Sequence, residues 1–423
     1  MRTVKTTQRY KLYYPLIALM MLPAASRADV VLDWDTIMQA IVSTQTPFPQ
    51  ARLAAITQLA VFEAVNAITR DYKPYLGSIT APANASTEAA AATAAHDVLK
   101  NYFPTSSALL DGALATSLAT VPNGPAKTAG IAVGQAAAAA MIANRANDGS
   151  TPSLFYLPTS SQPGVWQPTP SCTAAGGAFY QWRNVTPFGL RSGSQFRLGP
   201  PPDLTSARYT QAYNEVKSVG GVDSTQRPQD RADVARFYAA VTPVGVFNDA
   251  ARQISTAQGK SLSENAHDLA LINMAISDGA VATFDTKYHY NFWRPETAIQ
   301  NAGGDGNDLT QPDPTFAPYI VTPCFPGYPS AHGTLSNAAT EVMEQVYAAG
   351  QLSITLTNSA VPGVTLKYTS LTQITDDISD ARVYGGIHFR TDQDAGGVLG
   401  RRVGQYIFLH YLRDAREGCS TDR

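Results

Sequence analysis

The chain has 423 residues, of which 44% are apolar and 15% are charged, and its formal net charge is −2. This length is sufficient to bury one large core or two packed helical bundles. An acidic chain without a basic run is a poor candidate for nucleic-acid binding, so we expect no nucleic-acid partner. Composition leaves the oligomeric state open.

The first 28 residues have the pattern of a secretory signal peptide. Four basic residues precede an apolar run over residues 13–22, and Ser26 and Ala28 supply small residues at the usual cleavage spacing. The run is short for a bilayer span, and a short membrane anchor is the alternative. Cleavage would remove five positive charges and no acid, which takes the net charge from −2 to −7. We therefore expect a secreted or periplasmic protein with no membrane attachment after cleavage.

Residues 29–150 are predicted to form an amino-terminal helical region. Apolar residues recur at helical spacing over 33–69, and Ala-rich helical runs follow at 87–102, 106–121 and 125–147. Gly130 and Gly134 interrupt the most Ala-rich run, which favours a tightly packed helix of a soluble protein.

Residues 151–206 are predicted to be a Pro-rich loop that wraps over the helices. Nine of the 28 prolines lie between Pro152 and Pro202, mixed with glycine, serine and aromatic residues. A disordered linker would be depleted in aromatic residues, so an ordered loop is expected.

Residues 207–418 are predicted to form a second helical domain that carries the active site. Helical periodicity is found at 204–218, 227–257, 262–286, 331–349 and 371–414. The strand-like run LSITLTN is short, and no alternating strand series is present. We predict an all-α fold with two helical bundles in one compact unit.

The three cysteines are Cys172, Cys324 and Cys419. In an exported protein two of them could pair, but the sequence does not determine which two. Their spacing is not that of a zinc or redox motif.

The stretch KYHYNFWRP, residues 287–295, places two cations on an apolar background. Lys287 and Arg294 are seven residues apart, so we expect them on one face of a helix that Pro295 ends. Burial of two cations is costly unless an anion pairs with them. The alternative is a pair of surface cations whose stems cover apolar surface.

The stretch ARVYGGIHFRTD, residues 381–392, adds Arg382, His388 and Asp392. Positions four apart face each other on a helix, so Asp392 can hold one nitrogen of the His388 ring. The other nitrogen is then available as a nucleophile or metal ligand. An ordinary surface pair at this spacing is the alternative.

The stretch PGYPSAHGT, residues 326–334, holds Ser330 and His332 in a stiff turn of small residues. The turn can present backbone N–H donors at a helix start. Together the three stretches supply what a tetrahedral oxyanion requires: cations that neutralise it, donors for its equatorial oxygens, and an imidazole at each apex. We predict that they form one anion site.

In this order and with these gaps, the three stretches resemble the signature of the superfamily of vanadium haloperoxidases and type 2 phosphatidic acid phosphatases. The signature reads Lys287-x6-Arg294-Pro295, Pro329-Ser330-Ala331-His332 and Arg382-x5-His388-x3-Asp392. The wider resemblance covers roughly residues 150–414, where GVWQPTP and FRLGPPPDLTS are similar to the soluble haloperoxidase-like branch.

The resemblance implies a role for each matching residue. His388 would be the ligand of vanadate, or the nucleophile that forms a phosphohistidine in a phosphatase. Asp392 would orient His388, and His332 would be the general acid and base on the opposite side. Lys287 would polarise bound peroxide. The residues implied to bind the cofactor, orthovanadate, are Lys287, Arg294, Ser330, Ala331, Arg382 and His388.

Three positions bear on how closely the chain follows the family pattern. Ala331 stands where the family most often has glycine, which leaves the turn less freedom if φ must be positive. Ala381 stands where phosphatases usually have serine. Phe325 lies near the halide pocket at a place that is aromatic in chloride-oxidising members, which is a weak indication of chloride oxidation.

Three functions are compatible with these residues. The first is a vanadium-dependent haloperoxidase that uses hydrogen peroxide and halide. The second is an exported acid phosphatase that cleaves a phosphate ester at the same site without vanadate, and the third is a non-catalytic binder of phosphate or vanadate. The binder has no use for a second apical histidine. A membrane lipid phosphatase would need several spanning helices. His267 and Asp268 form a metal-like dipeptide, but we expect a structural pair there.

Overall fold

The computed structural model describes residues 29–77, 79–173 and 176–416 of the chain. Thirteen α-helices, three short 3-10 helices and one two-stranded antiparallel sheet make up the regular structure of these residues, which confirms the predicted all-α class. The predicted signal peptide, residues 1–28, and Cys419 lie outside the described residues.

The amino-terminal half contributes five helices. They are Val30–Val42 (α1), Pro47–Thr69 (α2), Thr87–Tyr102 (α3), Ser107–Ala119 (α4) and Pro125–Arg145 (α5). The helical stretch predicted over 33–69 is divided at residues 43–46. Pro47 takes the first helical position of α2, where its fixed φ and missing N–H are compatible with a helix start.

The Ala-rich helix α5 packs closely on α3, as predicted. A Cβ at Gly130 would overlap the carbonyl oxygen of Ser86, and one at Gly134 would lie 2.5 Å from that of Ala90. By length and composition, α2 and α5 are the helices of the described residues that could cross a membrane. The apolar window of α2 is 89% buried within the protein, as for a core helix, and that of α5 is 33% buried.

The carboxy-terminal half contributes eight helices and the sheet. The helices are Ala207–Val219 (α6), Gln229–Ala239 (α7), Pro243–Gln258 (α8), Leu262–Tyr290 (α9), Pro295–Gln300 (α10), Ala331–Val346 (α11), Leu371–Tyr384 (α12) and Arg390–His410 (α13). The strands are Ile354–Thr357 (β1) and Thr365–Tyr368 (β2). The helical stretches predicted over 227–257 and 371–414 are each divided in two, at Pro243 and at the Gly385-Gly386 pair.

Helix α9 is the centre of the molecule. Every residue from Asn265 to Tyr288 is buried, as expected for a helix enclosed on all sides. It packs against α2 of the amino-terminal half and against α11 and α13 of the carboxy-terminal half. One continuous apolar core therefore joins the two bundles into a single unit.

The Pro-rich segment between α5 and α6 is fastened to α9 through backbone hydrogen bonds. The carboxylate of Asp278 accepts from the N–H groups of Phe188, Gly189 and Leu190 at 2.6, 2.7 and 2.8 Å. Within its described part this segment forms one short 3-10 helix, Tyr180–Asn184, and no α-helix. The domain boundaries at residues 150 and 206 stay a prediction.

A row of glycines on α13 brings α11 and α13 into backbone contact. A Cβ at Gly396 would lie 2.8 Å from the carbonyl oxygen of Ser330, and one at Gly404 would lie 2.5 Å from that of Ala338. A Cβ at Gly400, between them, would overlap the carbonyl oxygen of Thr334. These glycines set how closely the starts of the two helices approach each other.

We expect Gly400→Ala to lower the free energy of unfolding by about 3 kcal/mol, because the added methyl group must push the two helices apart. Urea denaturation measures this change. Gly397→Ala on the same helix is the matched control, since its Cβ would lie 3.7 Å from the nearest atom, in the Asn337 side chain. Equal stability of the two variants would contradict close backbone packing at Gly400.

Candidate active site

The residues of the predicted anion site lie where five helix ends meet. Lys287 is in the last turn of α9 and Arg294 is the N-cap of α10, while Arg382 is in the last turn of α12. The residues at the starts of α11 and α13 are Ser330, Ala331, His332, His388 and Asp392. The fold therefore brings all eight residues to one place.

Lys287 and Arg294 converge, but they do not share a helical face, so that expectation was wrong. Helix α9 ends at Tyr290, and Asn291 adopts the left-handed conformation with φ of 50°, which asparagine tolerates better than most residues. The chain reverses there before Arg294. Both cations are completely buried, which excludes the surface-cation alternative.

His388 and Asp392 form the predicted pair, although His388 precedes α13 instead of lying on it. Asp392 Oδ2 is 2.9 Å from His388 Nδ1 and also accepts from the Phe389 N–H at 3.2 Å. Arg294 Nη1 lies 2.8 Å from His388 Nε2. A guanidinium can only donate, so Nε2 carries the lone pair and the proton is on Nδ1. Burial, reinforced by the charge of Arg294, lowers the pKa of His388 well below its usual value and favours this neutral ring.

The hydrogen bonds of Lys287 and Arg294 go mainly to neutral backbone oxygens. Lys287 Nζ donates to the carbonyls of Pro326 and Gly327 at 2.6 and 2.8 Å. Arg294 Nε donates to the carbonyl of Phe325 at 2.8 Å, and Nη1 also donates to that of Ile387 at 3.0 Å. These partners hold the side chains in place but, being neutral, do not themselves compensate the two positive charges.

Burial acts on the charge state of every cation in the site. It lowers the pKa of Lys287 well below its usual value, that of Arg294 to about 9 and that of Arg382 to about 10. Burial also raises the pKa of Asp392, the carboxylate that faces Lys287 and Arg294. A bound anion would reverse the effect on the cations, because a nearby negative charge favours their protonated forms.

The start of α11 supplies hydrogen-bond donors. Ser330 caps the helix, its Oγ accepting from the Gly333 N–H at 3.1 Å, and its own N–H donates to the Asp392 carbonyl at 2.9 Å. The N–H groups of Ala331 and His332 belong to the first helical turn, which has no intrahelical acceptors. Ala331 is not among the described residues with positive φ, so alanine fits this position without strain.

His332 is neutral in the free site. Burial lowers its pKa well below the usual value, and the charges of Arg382, Arg294 and Lys287 act in the same direction. Its Nε2 is buried without a hydrogen-bond partner in the described part of the chain. The ring is therefore available to accept a proton at that atom.

We expect acidification below pH 6.5 to destabilise the wild type more than His332→Gln. In this range the unfolded wild-type chain binds a proton at His332 and the folded chain does not. Each pH unit of acidification should therefore lower the free energy of unfolding of the wild type by up to about 1.4 kcal/mol more than that of His332→Gln. Urea denaturation between pH 7 and 5, in buffer free of phosphate and vanadate, measures the difference. His410→Gln, at an exposed position, is the control, and its free energy of unfolding should vary with pH as that of the wild type does. Parallel plots of the free energy of unfolding against pH for His332→Gln and the wild type would contradict a depressed pKa of His332.

The donor set fits a tetrahedral oxyanion such as vanadate or phosphate. Arg294 Nη2 and Arg382 Nε are buried without a partner among the described residues, as is His332 Nε2. Arg382 is held by a bond from Nη1 to the Tyr238 carbonyl at 3.2 Å, which leaves Nε for another acceptor. An anion with several oxygens would accept from the two guanidinium donors and compensate the charges, while a protonated oxygen of the same anion would donate to His332 Nε2.

A cavity of about 500 Å³ opens above the anion site, with Ala331, His332, Arg382 and His388 at its base. Its remaining lining is mostly apolar, and it includes Cys324. Cys324 is bonded to Cys172, which determines the pairing that the sequence left open. The disulfide joins the Pro-rich segment to the segment whose carbonyl oxygens hold Lys287 and Arg294.

Several contributors to the site were not found from the sequence. Phe48 and Phe179 line the cavity, and the backbone of Tyr238 positions Arg382. No local pattern marks these residues, because each acts by its place in the fold or through its main chain. Only the glycine row of α13 had a sequence signal, which is small residues at every fourth position.

The histidine outside the site that had a metal-like motif is structural. His267 Nδ1 lies 2.8 Å from Asp268 and Nε2 lies 3.0 Å from the Leu412 carbonyl, and its ring stacks on Tyr72. The described residues hold no cluster of three or more side chains suited to a metal ion.

Residues 267–417 match the family described as the VCPO second helical-bundle domain. This match includes all eight residues of the predicted anion site, in agreement with the resemblance of the sequence to the superfamily of vanadium haloperoxidases and type 2 phosphatidic acid phosphatases.

Proteins that resemble the chain include vanadium haloperoxidases. The chain is similar to vanadium chloroperoxidase of Curvularia inaequalis, with 26% identity over 183 residues, which is 36% of this chain and 30% of that protein's length. It is similar to the structure of the first bacterial vanadium-dependent iodoperoxidase, with 25% identity, a TM-score of 0.75 and coverage of 91% of this chain and 97% of that one. The fold is also that of an apo-type bacterial vanadium-dependent chloroperoxidase, at 18% identity, a TM-score of 0.70 and coverage of 85% and 92%.

Proposed function

We propose that the protein is a vanadium-dependent haloperoxidase that oxidises halide with hydrogen peroxide to hypohalous acid. The observation that carries the proposal is the set of three buried cations around a His388 nitrogen that carries a lone pair. The likeness to a vanadium-dependent iodoperoxidase over nearly the whole chain supports it further. The overall reaction takes hydrogen peroxide, halide and one proton to hypohalous acid and water. The halide loses two electrons and the O–O bond breaks.

Different residues of the site would bind different atoms of orthovanadate. His388 would bind it through Nε2, in place of the hydrogen bond that this atom accepts from Arg294 Nη1, and Asp392 keeps the ring proton on Nδ1. The side chains of Arg294 and Arg382 and the N–H groups at the start of α11 would hold its oxygens. Bound vanadate supplies a Lewis-acidic centre that activates peroxide without a change in its own oxidation state.

His332 would move protons during turnover. Because its depressed pKa makes it neutral at rest, the ring would accept a proton from incoming hydrogen peroxide and pass it to the oxygen that leaves as water. Lys287, held by two carbonyl oxygens, would direct its ammonium at the peroxide oxygen that halide attacks. That charge draws electrons from the O–O bond as it breaks.

The alternative is an exported acid phosphatase with a phosphohistidine intermediate at His388. The same neutral tautomer and the same unpartnered donors favour this reaction, since phosphate and vanadate share a tetrahedral shape and charge. It would need no metal.

We infer further that the protein is exported, through the signal peptide predicted over residues 1–28. The disulfide between Cys172 and Cys324 supports this localisation, because such bonds persist in oxidising compartments.

The test uses purified mature protein stripped of metal. Halogenation of a reporter dye with peroxide is measured with and without orthovanadate, beside hydrolysis of p-nitrophenyl phosphate. Halogenation that requires vanadate is the expected result. Strong hydrolysis that vanadate inhibits, with no halogenation, would establish the phosphatase instead.

A further inference from the structure

The cavity above the anion site is larger than the proposed reaction needs. Hydrogen peroxide and halide are small polar species, and a tetrahedral oxyanion fills only the base of a cavity of about 500 Å³. Pockets that hold drug-sized organic molecules measure roughly 300–1,000 Å³. The volume therefore leaves room for a third, organic molecule beside the reacting groups.

The walls of this cavity are apolar and aromatic. Phe48 of α2, Phe179 of the Pro-rich segment and Phe325 form a ring cluster, with centroids 4.8 to 6.3 Å apart and edge-to-face orientations. The other apolar side chains of the lining include Pro47, Pro243, Ile320, Val321, Pro323 and Leu335. Apart from the three titratable groups at the base, the lining has no charged side chain, which favours a neutral and apolar occupant.

Phe179 is held against this cavity in an unusual conformation. Its φ is 61°, in the left-handed region, which is costly for a bulky residue unless the surroundings impose it. The flanking backbone is fixed on both sides, because the Ala178 N–H donates to the Cys324 carbonyl at 2.8 Å and the Phe179 carbonyl accepts from Trp182 at 2.9 Å. Phe179 nevertheless remains partly exposed, so its ring is presented to the cavity and not sequestered in the core.

The rim of the cavity is also apolar. Val321 lines it and has 76% of its surface exposed. Val321 therefore contacts both the cavity and the solvent, which places it at the entrance.

We propose that this cavity binds the organic substrate, a neutral aromatic molecule of about two fused rings, against the ring cluster of Phe48, Phe179 and Phe325 and directly above His332 and His388. Phe179 and Val321 are its specificity-determining residues. The reaction there rests on the proposed function: hypohalous acid is consumed, a carbon–hydrogen bond of the substrate becomes a carbon–halogen bond, and water is released. The binding itself does not depend on that function.

The first experiment measures binding alone. Protein without vanadate or peroxide is titrated against 1-naphthol, which is neutral at pH 7, and its fluorescence is followed. We expect saturable binding that Val321→Arg weakens about tenfold, or about 1.4 kcal/mol. Leu309→Arg is the matched control, since Leu309 lies in the same connection between α10 and α11, is 70% exposed and does not line the cavity. No saturable binding, or equal effects of the two variants, would overturn the proposal.

The second experiment determines which ring position of 1-naphthol is halogenated. With bromide, peroxide and vanadate, the wild type should give a ratio of 2- to 4-bromo-1-naphthol that differs from that of reagent hypobromous acid. Phe179→Ala should move the ratio towards the reagent value, and Phe179→Leu serves if the alanine variant is unstable. A wild-type ratio equal to the reagent ratio would overturn halogenation within the cavity.

The two experiments separate this inference from the proposed function. If the protein binds 1-naphthol but does not halogenate it, the proposed haloperoxidase activity is refuted and the proposed aromatic binding site is retained. In that case 1-naphthyl phosphate should be hydrolysed with a KM that Val321→Arg raises and Leu309→Arg does not. An unchanged KM would overturn the cavity as the substrate site for that reaction as well.

Discussion

Replacement of His388 by alanine should lower the halogenation rate by about three orders of magnitude or more. The ring provides the lone pair at Nε2, and the cations around it have no substitute for that nitrogen. Hydrolysis of a phosphate ester should be lost to the same extent, because the same atom would be the nucleophile. Steady-state rates at saturating vanadate measure the first effect. Ultrafiltration followed by vanadium analysis measures the accompanying loss of binding.

The control for this variant is His410→Ala, at the exposed last residue of α13, the helix that His388 precedes. It should retain full activity. Asp392→Asn tests the tautomer of His388. The asparagine amide can donate to His388 Nδ1, which favours the tautomer with the ring proton on Nε2, the atom whose lone pair is needed. Near-normal rates of both reactions in His388→Ala would show that the site has been assigned wrongly.

Replacement of Lys287 by methionine should reduce halogenation by about a hundredfold to a thousandfold. Hydrolysis of p-nitrophenyl phosphate should fall by about tenfold or less, because Arg294 and Arg382 still neutralise the phosphate and no peroxide needs to be polarised. The ratio of the two rates is the informative quantity. Both rates are measured on one preparation, with vanadate added only for halogenation.

Lys287→Met also leaves the carbonyl oxygens of Pro326 and Gly327 without a donor, which lowers stability. Lys260→Met is the control for that effect, since it removes a lysine bond to the Val346 carbonyl away from the site. Its ratio of the two rates should equal that of the wild type. Equal losses of both activities in Lys287→Met would contradict peroxide polarisation by Lys287.

The sequence predicted which residues lie together better than it predicted the backbone geometry that brings them together. Lys287, Arg294 and the two histidines were found by their type and order, since an oxyanion site requires charges and imidazoles that are unusual in a core. The reason given for the pairing of Lys287 with Arg294 was wrong. Spacing arguments assume a continuous helix, whereas Asn291 reverses the chain between the two residues.

The cavity could not be predicted from the sequence. Phe48 and Phe179 come from segments that precede the signature by more than a hundred residues, and nothing near them in the chain indicates contact with Phe325. The carbonyl oxygens that fix Lys287, Arg294 and Arg382 depend on the path of the backbone and not on residue type. Such contacts become visible only when long-range packing is known.

The bond between Cys172 and Cys324 divides the chain into a closed covalent ring and two open ends. The ring contains α6 to α10 and carries Lys287 and Arg294, whereas Ser330, His332 and His388 lie on the end that follows it. The site is therefore assembled from two topologically different pieces. A single proteolytic cut within the ring would leave the molecule in one covalent piece, and the cut would appear as two fragments on a gel only after reduction.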